Sequence, residues 1–118
     1  GRRRMHTVHL AGSEPPLHVR LGSSDWYVLE EIFIRGEYAA LTDRNLESIT
    51  NIVDLGANIG MSVRLWQSLY PGAKIAAVEP DEDNLRIARM NATSDGATLR
   101  RRFAAQGLSR PVHRGLGL

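Results

Sequence analysis

The segment 51–63, NIVDLGANIGMSV, constrains the fold more than any other part of the chain. Ile52, Val53 and Leu55 form an apolar run around one carboxylate, Asp54, and the run then breaks into Gly56, Asn58 and Gly60. Helical apolar spacing takes over at Ile59, Val63, Trp66 and Leu69 or Tyr70, until Pro71-Gly72 stops it. A buried strand, a tight turn and a helix, in that order, is the layout of a nucleotide-gripping loop in an α/β protein. The glycines do not have the G-x-G-x-x-G spacing of a dinucleotide fingerprint, so the loop departs from the usual pyrophosphate cradle.

A second unit follows at once. The stretch KIAAVEP, 74–80, reads as a short apolar strand ending on Glu79. Asp81, Glu82 and Asp83 then crowd a helix start, with Arg86 and Arg89 further along, the arrangement the helix dipole favours. Leu85, Ile87, Ala88 and Met90 supply the apolar side of that helix. Strand, helix, strand, helix within this length predicts a parallel sheet with right-handed crossovers. Upstream, Val8 and Leu10, then Leu17, Val19 and Leu21, alternate with polar residues as in a β-hairpin, with 11–16 as its loop. Ser24 or Asp25 is placed to cap a helix carrying Val28, Leu29, Ile32 and Phe33 and ending at Gly36, and a shorter helix is expected over 43–48.

The predicted organisation is α/β. A hairpin and helical lead-in (1–50) precedes a partial Rossmann-like βαβα unit (51–95) and a basic tail (96–118). The tail contains no acid, and Arg100, Arg101 and Arg102 are consecutive. A parallel strand covered on both faces is near-continuously apolar, so the tail, which offers at best a poor strand at 97–99, is expected to be frayed or disordered. A two-strand sheet would leave an unpaired edge beside 52–55 or 74–79, open to self-association.

The loop spells D-x-G-x-N-x-G, and each residue type has a mechanical reason. Gly56 permits the positive φ needed to turn off the strand, and Asn58 tolerates such a conformation better than most residues. Gly60 lets the helix start approach a ligand or the neighbouring strand with no Cβ between them. Asp54 would stand at the carboxyl end of its strand, where open α/β sheets bind ligands. A carboxylate there repels a diphosphate and suits a ligand with a positive centre. Glu79, ending the next strand, is placed to accept hydrogen bonds from both hydroxyls of a ribose. A cationic nucleoside with a free diol, such as S-adenosylmethionine, meets both demands.

VDLGANIG followed by AKIAAVEPDEDNLRIARMN resembles motif I and the following acidic strand end of class I S-adenosylmethionine-dependent methyltransferases. SDWYVLEEIFIRGEY, ahead of it, is similar to the segment preceding motif I in the FkbM-type subfamily, and the resemblance covers about 21–91. It implies a methyltransferase acting on a hydroxyl of a small molecule or saccharide. By the same resemblance Asp54, Gly56, Ala57, Asn58 and Gly60 would border the methionine part of the cofactor. Glu79 would take the ribose hydroxyls, and Pro80 and Leu85 would flank the adenine. Glu31 and Tyr38 would stand at the pocket edge, although a structural role suits them better. The sequence nominates no catalytic base. Nothing after Asn91 follows the family's pattern, so the chain reads as the N-terminal half of such a domain, inactive alone. Two alternatives stand beside this reading: a non-catalytic cofactor-binding or inactive fragment, and a nucleotide-dependent oxidoreductase with an atypical glycine loop.

Composition narrows the remaining classes. With no cysteine among 118 residues there is no disulfide framework, thiolate metal site or thiol nucleophile. No apolar run approaches the roughly 18 residues of a membrane span, and no apolar segment follows the basic N-terminus, so a cytoplasmic protein is expected. The net charge of +2 conceals an asymmetry, because eight of the fifteen basic residues lie in 2–4 and 100–114. The intervening body holds the other seven against all thirteen acids. Arginines confined to the ends argue poorly for nucleic-acid binding. His6, His9 and His18 suit the polar face of a hairpin better than a metal site.

Overall fold

The computed structural model describes residues 3–35, 49–93, 96–102 and the backbone of 113–114. Strand β3 (Asn51–Leu55) is central because Ile52, Val53 and Asp54 are all buried, as in a strand covered on both faces. It pairs in parallel with β4 (Lys74–Val78), in register from Asn51 opposite Lys74 to Leu55 opposite Val78. Strand β5 (Ala97–Arg100) pairs in parallel with the far side of β4, and the two-residue β6 (His113–Arg114) pairs in parallel with the far side of β3. The strand order is β5-β4-β3-β6. From β3 the chain steps outward through β4 and β5, then places β6 on the opposite flank. The fold is therefore mixed α/β, with a parallel sheet compatible with a partial Rossmann-like unit.

The sheet corrects two expectations. The strands called open-edged, 52–55 and 74–79, each have a neighbour on both sides. The basic tail begins with a strand, because β5 is an edge strand with one covered face: Leu99 is buried while Thr98 and Arg100 are exposed. Only Arg100 of the three arginines lies in that strand; Arg101 and Arg102 follow it. Arg89 Nη2 donates to the Leu99 carbonyl at 3.1 Å, giving an acceptor of this edge strand a partner. The remaining tail, 103–112 and 115–118, lies outside the described residues, as do Gly36, Tyr38 and the helix expected over 43–48.

Helix α2 (Met61–Leu69) follows β3 and buries Met61, Val63, Leu65 and Trp66. Trp66 stacks on Tyr70 with ring centroids 6.2 Å apart. Helix α3 (Glu82–Asn91) follows β4 and buries Leu85, Ile87, Ala88 and Asn91. Its N-cap is Asp81, whose carboxylate accepts from the Asn84 N–H at 2.8 Å, and Glu82 and Asp83 occupy the first turn as the helix dipole favours.

The hairpin is tighter than its composition suggested. Strands β1 (Met5–Leu10) and β2 (Ser13–Arg20) meet across Ala11-Gly12 alone, with Gly12 at φ 78°. Pro15 and Pro16 lie inside β2, which a two-stranded sheet allows because neither strand is central. Helix α1 (Asp25–Leu29) continues into a π-helical turn over Glu30–Ile34. Ser24 holds the N-cap position without a side-chain bond, and the Asp25 N–H instead donates to Ser23 Oγ at 3.1 Å. Trp26 is exposed, whereas Leu17, Val19, Leu29 and Ile32 join Ile52, Val63, Ile75 and Ile87 in one hydrophobic core.

Buried polar groups hold hairpin to sheet. Asn91, fully buried, accepts from the His18 N–H at 2.6 Å and donates to the carbonyls of His18 (2.9 Å) and Ile59 (2.7 Å). Arg64, a residue 3% exposed, donates from its guanidinium to the Asn91 carbonyl at 2.9 Å and to the Pro15 carbonyl. Burial lowers the Arg64 pKa, opposed by the charge of Glu14. Arg20 grips Asp25 through two nitrogens at 2.9 Å and reaches Asp83 on α3 at 3.1 Å.

Candidate functional site

The site forms where β3 and β4 end. Gly56 leaves β3 at φ 89°, Asn58 follows at 53° and Gly60 at 85°, so three alternate residues of the loop are left-handed. This alternation coils the chain tightly. The N–H groups of Gly56 and Ala57 both donate to the Val78 carbonyl at 2.9 Å, and the Gly60 N–H returns to the Ala57 carbonyl at 2.9 Å. The loop is thus folded across the end of β4 and delivers Gly60 as the N-cap of α2.

The two loop glycines serve different ends. A Cβ on Gly56 would meet no atom within 4 Å, so its surroundings are open. A Cβ on Gly60 would lie 2.8 Å from Ala88 Cα and 2.9 Å from the Ala88 carbonyl oxygen. Gly60 therefore permits the close approach of α3 to the start of α2. The residue types suggested a ligand or the neighbouring strand as the partner; the structure places helix α3 there instead.

Glu79 closes the loop from the next strand. Its Oε1 accepts from the Asn58 N–H at 2.8 Å and its Oε2 from the Asp81 N–H at 2.9 Å, with the residue 7% exposed. The carboxylate ties the end of β4 to the middle of the loop, and its remaining lone pairs are those a further donor could use. Its own N–H donates to the Arg100 carbonyl at 2.9 Å, which joins the end of β5 to the same site.

Asp54 is placed otherwise. It has no exposed surface, and its Oδ2 accepts from Ser62 Oγ at 2.6 Å. Burial raises its pKa, opposed by hydrogen bonds from Ser62 and from the Trp66 side chain. Asp54 therefore bears on the loop from beneath, through the first turn of α2. Ala57 and Leu85 are buried as well, Leu85 within the core, while Pro80 is exposed. The structure thus brings Gly56, Ala57, Asn58, Gly60 and Glu79 together directly and sets Asp54 and Leu85 below the surface.

Four contributors escaped the sequence reading. Ser62, the partner of Asp54, lies in the first turn of an amphipathic helix, where a serine carries no distinguishing pattern. Leu55, 47% exposed, ends β3 beside the open Gly56. Arg101 and Arg102 line an open pocket of about 420 Å³ with Pro80. Among the described residues, no three His, Cys, Asp or Glu side chains are grouped to hold a metal. No helix of the described residues is long and apolar enough to cross a membrane. A scan against protein-family models finds no match for the chain, and a search of the curated proteins finds none either.

Proposed function

We propose that the loop following β3 cradles S-adenosylmethionine and that the chain provides the cofactor-binding part of an FkbM-type methyltransferase. The observation that carries this reading is the bond from the Asn58 N–H to Glu79 Oε1, made inside a loop of alternating left-handed residues. That bond places an acidic strand end against a glycine loop at the carboxyl ends of two adjacent parallel strands. Neighbouring β6 makes the position beside β3 the point where the strand order reverses, where open α/β sheets bind their ligands. The open space at Gly56 and the exposed Leu55 leave room for a nucleoside over the loop, with Glu79 beside its ribose. Asp54 fits a role in shaping α2 and the loop better than direct contact with the cationic end of the ligand.

The cofactor supplies an activated methyl group. The contribution of these residues is positioning, which turns a two-body encounter into a near-attack arrangement. The acceptor in this reading is a hydroxyl oxygen of a small molecule or saccharide. Neither Glu79, with both oxygens engaged by backbone amides, nor the buried Asp54 is placed as a general base. That observation favours a second reading, in which the chain binds the cofactor without turning it over.

Calorimetric titration of the 118-residue chain with S-adenosylhomocysteine and, separately, with NAD tests the proposal. Saturable heat from S-adenosylhomocysteine is expected. Heat from NAD alone would replace the methyltransferase reading with the oxidoreductase one. Incubation with radiolabelled S-adenosylmethionine and a panel of hydroxylated acceptors then separates transfer from binding alone.

A further inference from the structure

The end of β5 carries a feature that the glycine loop does not explain. Arg101 and Arg102 follow the strand directly and, with Pro80 from the end of β4, line an open pocket of about 420 Å³. All three residues are exposed, and Arg100, exposed too, precedes them. Arg101 Nη1 reaches Glu82 Oε1 at 2.8 Å, with 60% and 76% of the two side chains exposed, and so wet an ion pair holds its cation weakly. Among the described residues Arg102 and Arg100 have no ion pair and no side-chain hydrogen bond. The other acids at this end, among the described residues, have partners elsewhere. Glu79 is engaged by Asn58 and Asp81, and the Asp81 carboxylate caps α3. Asp83 faces Arg20 and Arg86.

We infer that the Pro80–Arg101–Arg102 pocket is a binding site for a phosphate-bearing ligand. Guanidinium groups offer planar forks of N–H donors that match phosphate oxygens two at a time, which a single ammonium cannot do. Two such groups at the rim of one pocket, paired among the described residues with Glu82 alone, leave an uncompensated positive charge. The pocket also lies at the carboxyl ends of parallel strands, where α/β sheets receive ligands. Pro80 and the aliphatic stems of the arginines add apolar wall below the charged heads. Anion binding here draws Arg101 from Glu82 and does not depend on what the glycine loop holds. The phosphate can be that of a nucleotide whose sugar lies toward Glu79, or that of a separate small phosphate ester.

Calorimetry on the full chain at low ionic strength, with inorganic phosphate and adenosine 2′-monophosphate as probes, tests the site. Both probes are expected to bind, and the Arg101→Gln/Arg102→Gln double variant is expected to weaken both about tenfold or more. Glu82→Gln acts in the opposite direction, tightening phosphate about two- to threefold by releasing Arg101 from its pair. A nucleotide affinity well above that of phosphate identifies a nucleotide source, whereas equal affinities identify a free phosphate ester. The substituted residues are exposed, and matching thermal midpoints verify that the variants remain folded. No saturable heat from either probe up to about 10 mM, or affinity unchanged in the folded double variant, overturns the inference. S-adenosylhomocysteine is titrated in the same series. Its failure to bind with phosphate binding intact removes the methyltransferase reading alone, and the reverse pattern removes this site alone.

Discussion

The two ends of helix α3 are built on opposite plans. At its C-terminal end Asn91 is fully buried and satisfies three backbone groups from β2 and the loop before α2, while Arg64 adds bonds to Asn91 and Pro15. At its N-terminal end Asp81 and Glu79 hold a loop that has open space at Gly56, an exposed Leu55 and exposed arginines beyond Pro80. One end spends polar groups on joining hairpin to sheet. The other leaves donors and space to solvent, as a binding site needs. A rigid attachment at one end and an open loop at the other is how a scaffold positions a site without filling it.

The largest expected effect lies at the closed end. Asn91→Ala removes the partner of two carbonyls and one N–H in a site without solvent, and urea denaturation should show a loss of about 3–5 kcal/mol. A loss under 1 kcal/mol would mean that hairpin and sheet are held by apolar packing alone. Next comes the contact between helices. Gly60→Ala drives a Cβ into Ala88 at a left-handed φ, for a loss of about 3 kcal/mol. Gly56→Ala meets the same kind of φ in open space and should cost only about 1–2 kcal/mol. Equal losses at the two glycines would erase the distinction between a packing glycine and a turn glycine.

Glu79→Ala probes the open end. It frees the N–H groups of Asn58 and Asp81, so stability should fall by about 2 kcal/mol, and binding of S-adenosylhomocysteine should weaken in a protein that still folds. A variant that binds normally would remove Glu79 from the ligand's surroundings.

The smallest effect near neutrality is one of pH, and it separates two carboxylates. Burial pushes the Asp25 pKa up, but the hydrogen bonds from Arg20 and then its charge outweigh burial and hold the carboxyl below its ordinary value of 3.8. Its contribution is present above that value and is lost as pH falls through the lowered folded pKa. Asp54 has the opposite sign. Burial raises its pKa above 3.8, so its ionisation costs stability, and acidification through the raised pKa relieves that cost before Asp25 begins to titrate. Stability measured by denaturant melts from neutral pH downward should therefore rise slightly and then fall. Asp54→Asn should flatten the rise and Asp25→Asn should soften the fall. A rise that survives Asp54→Asn unchanged belongs to another group.

Much of the open end could be read from the chain itself. Gly56 and Asn58 announce left-handed backbone by residue type, and both adopt it; Gly60, read only as a place of close approach, adopts it too. Helices α2 and α3 follow from apolar spacing, and Asp81 caps the second of them as its position suggests. The closed end was not legible. Asn91, Arg64 and Arg20 are polar residues whose partners lie 73, 49 and 63 positions away along the chain for the bonds to His18, Pro15 and Asp83. No local pattern encodes such pairings. Strand β5 was legible only as a poor strand over 97–99, for a related reason. Its Arg100 argues against a strand covered on both faces, yet at the sheet edge the exposed face accepts it.

The sequence by itself determined the strand, loop and helix succession of 51–91 and the backbone conformations that its glycines and asparagine permit. Period and φ preference are local properties, and residue type sets them directly. Tertiary structure alone decided which partner each of those residues meets. It set Gly60 against Ala88, turned the Glu79 carboxylate onto Asn58, hid Asp54 beneath Ser62, and placed β5 and β6 on opposite flanks of the two inner strands. Such choices depend on distances between residues far apart in the chain, which no residue type specifies. They also depend on solvent access, which sends one strand-end carboxylate inward and leaves the other beside the open loop.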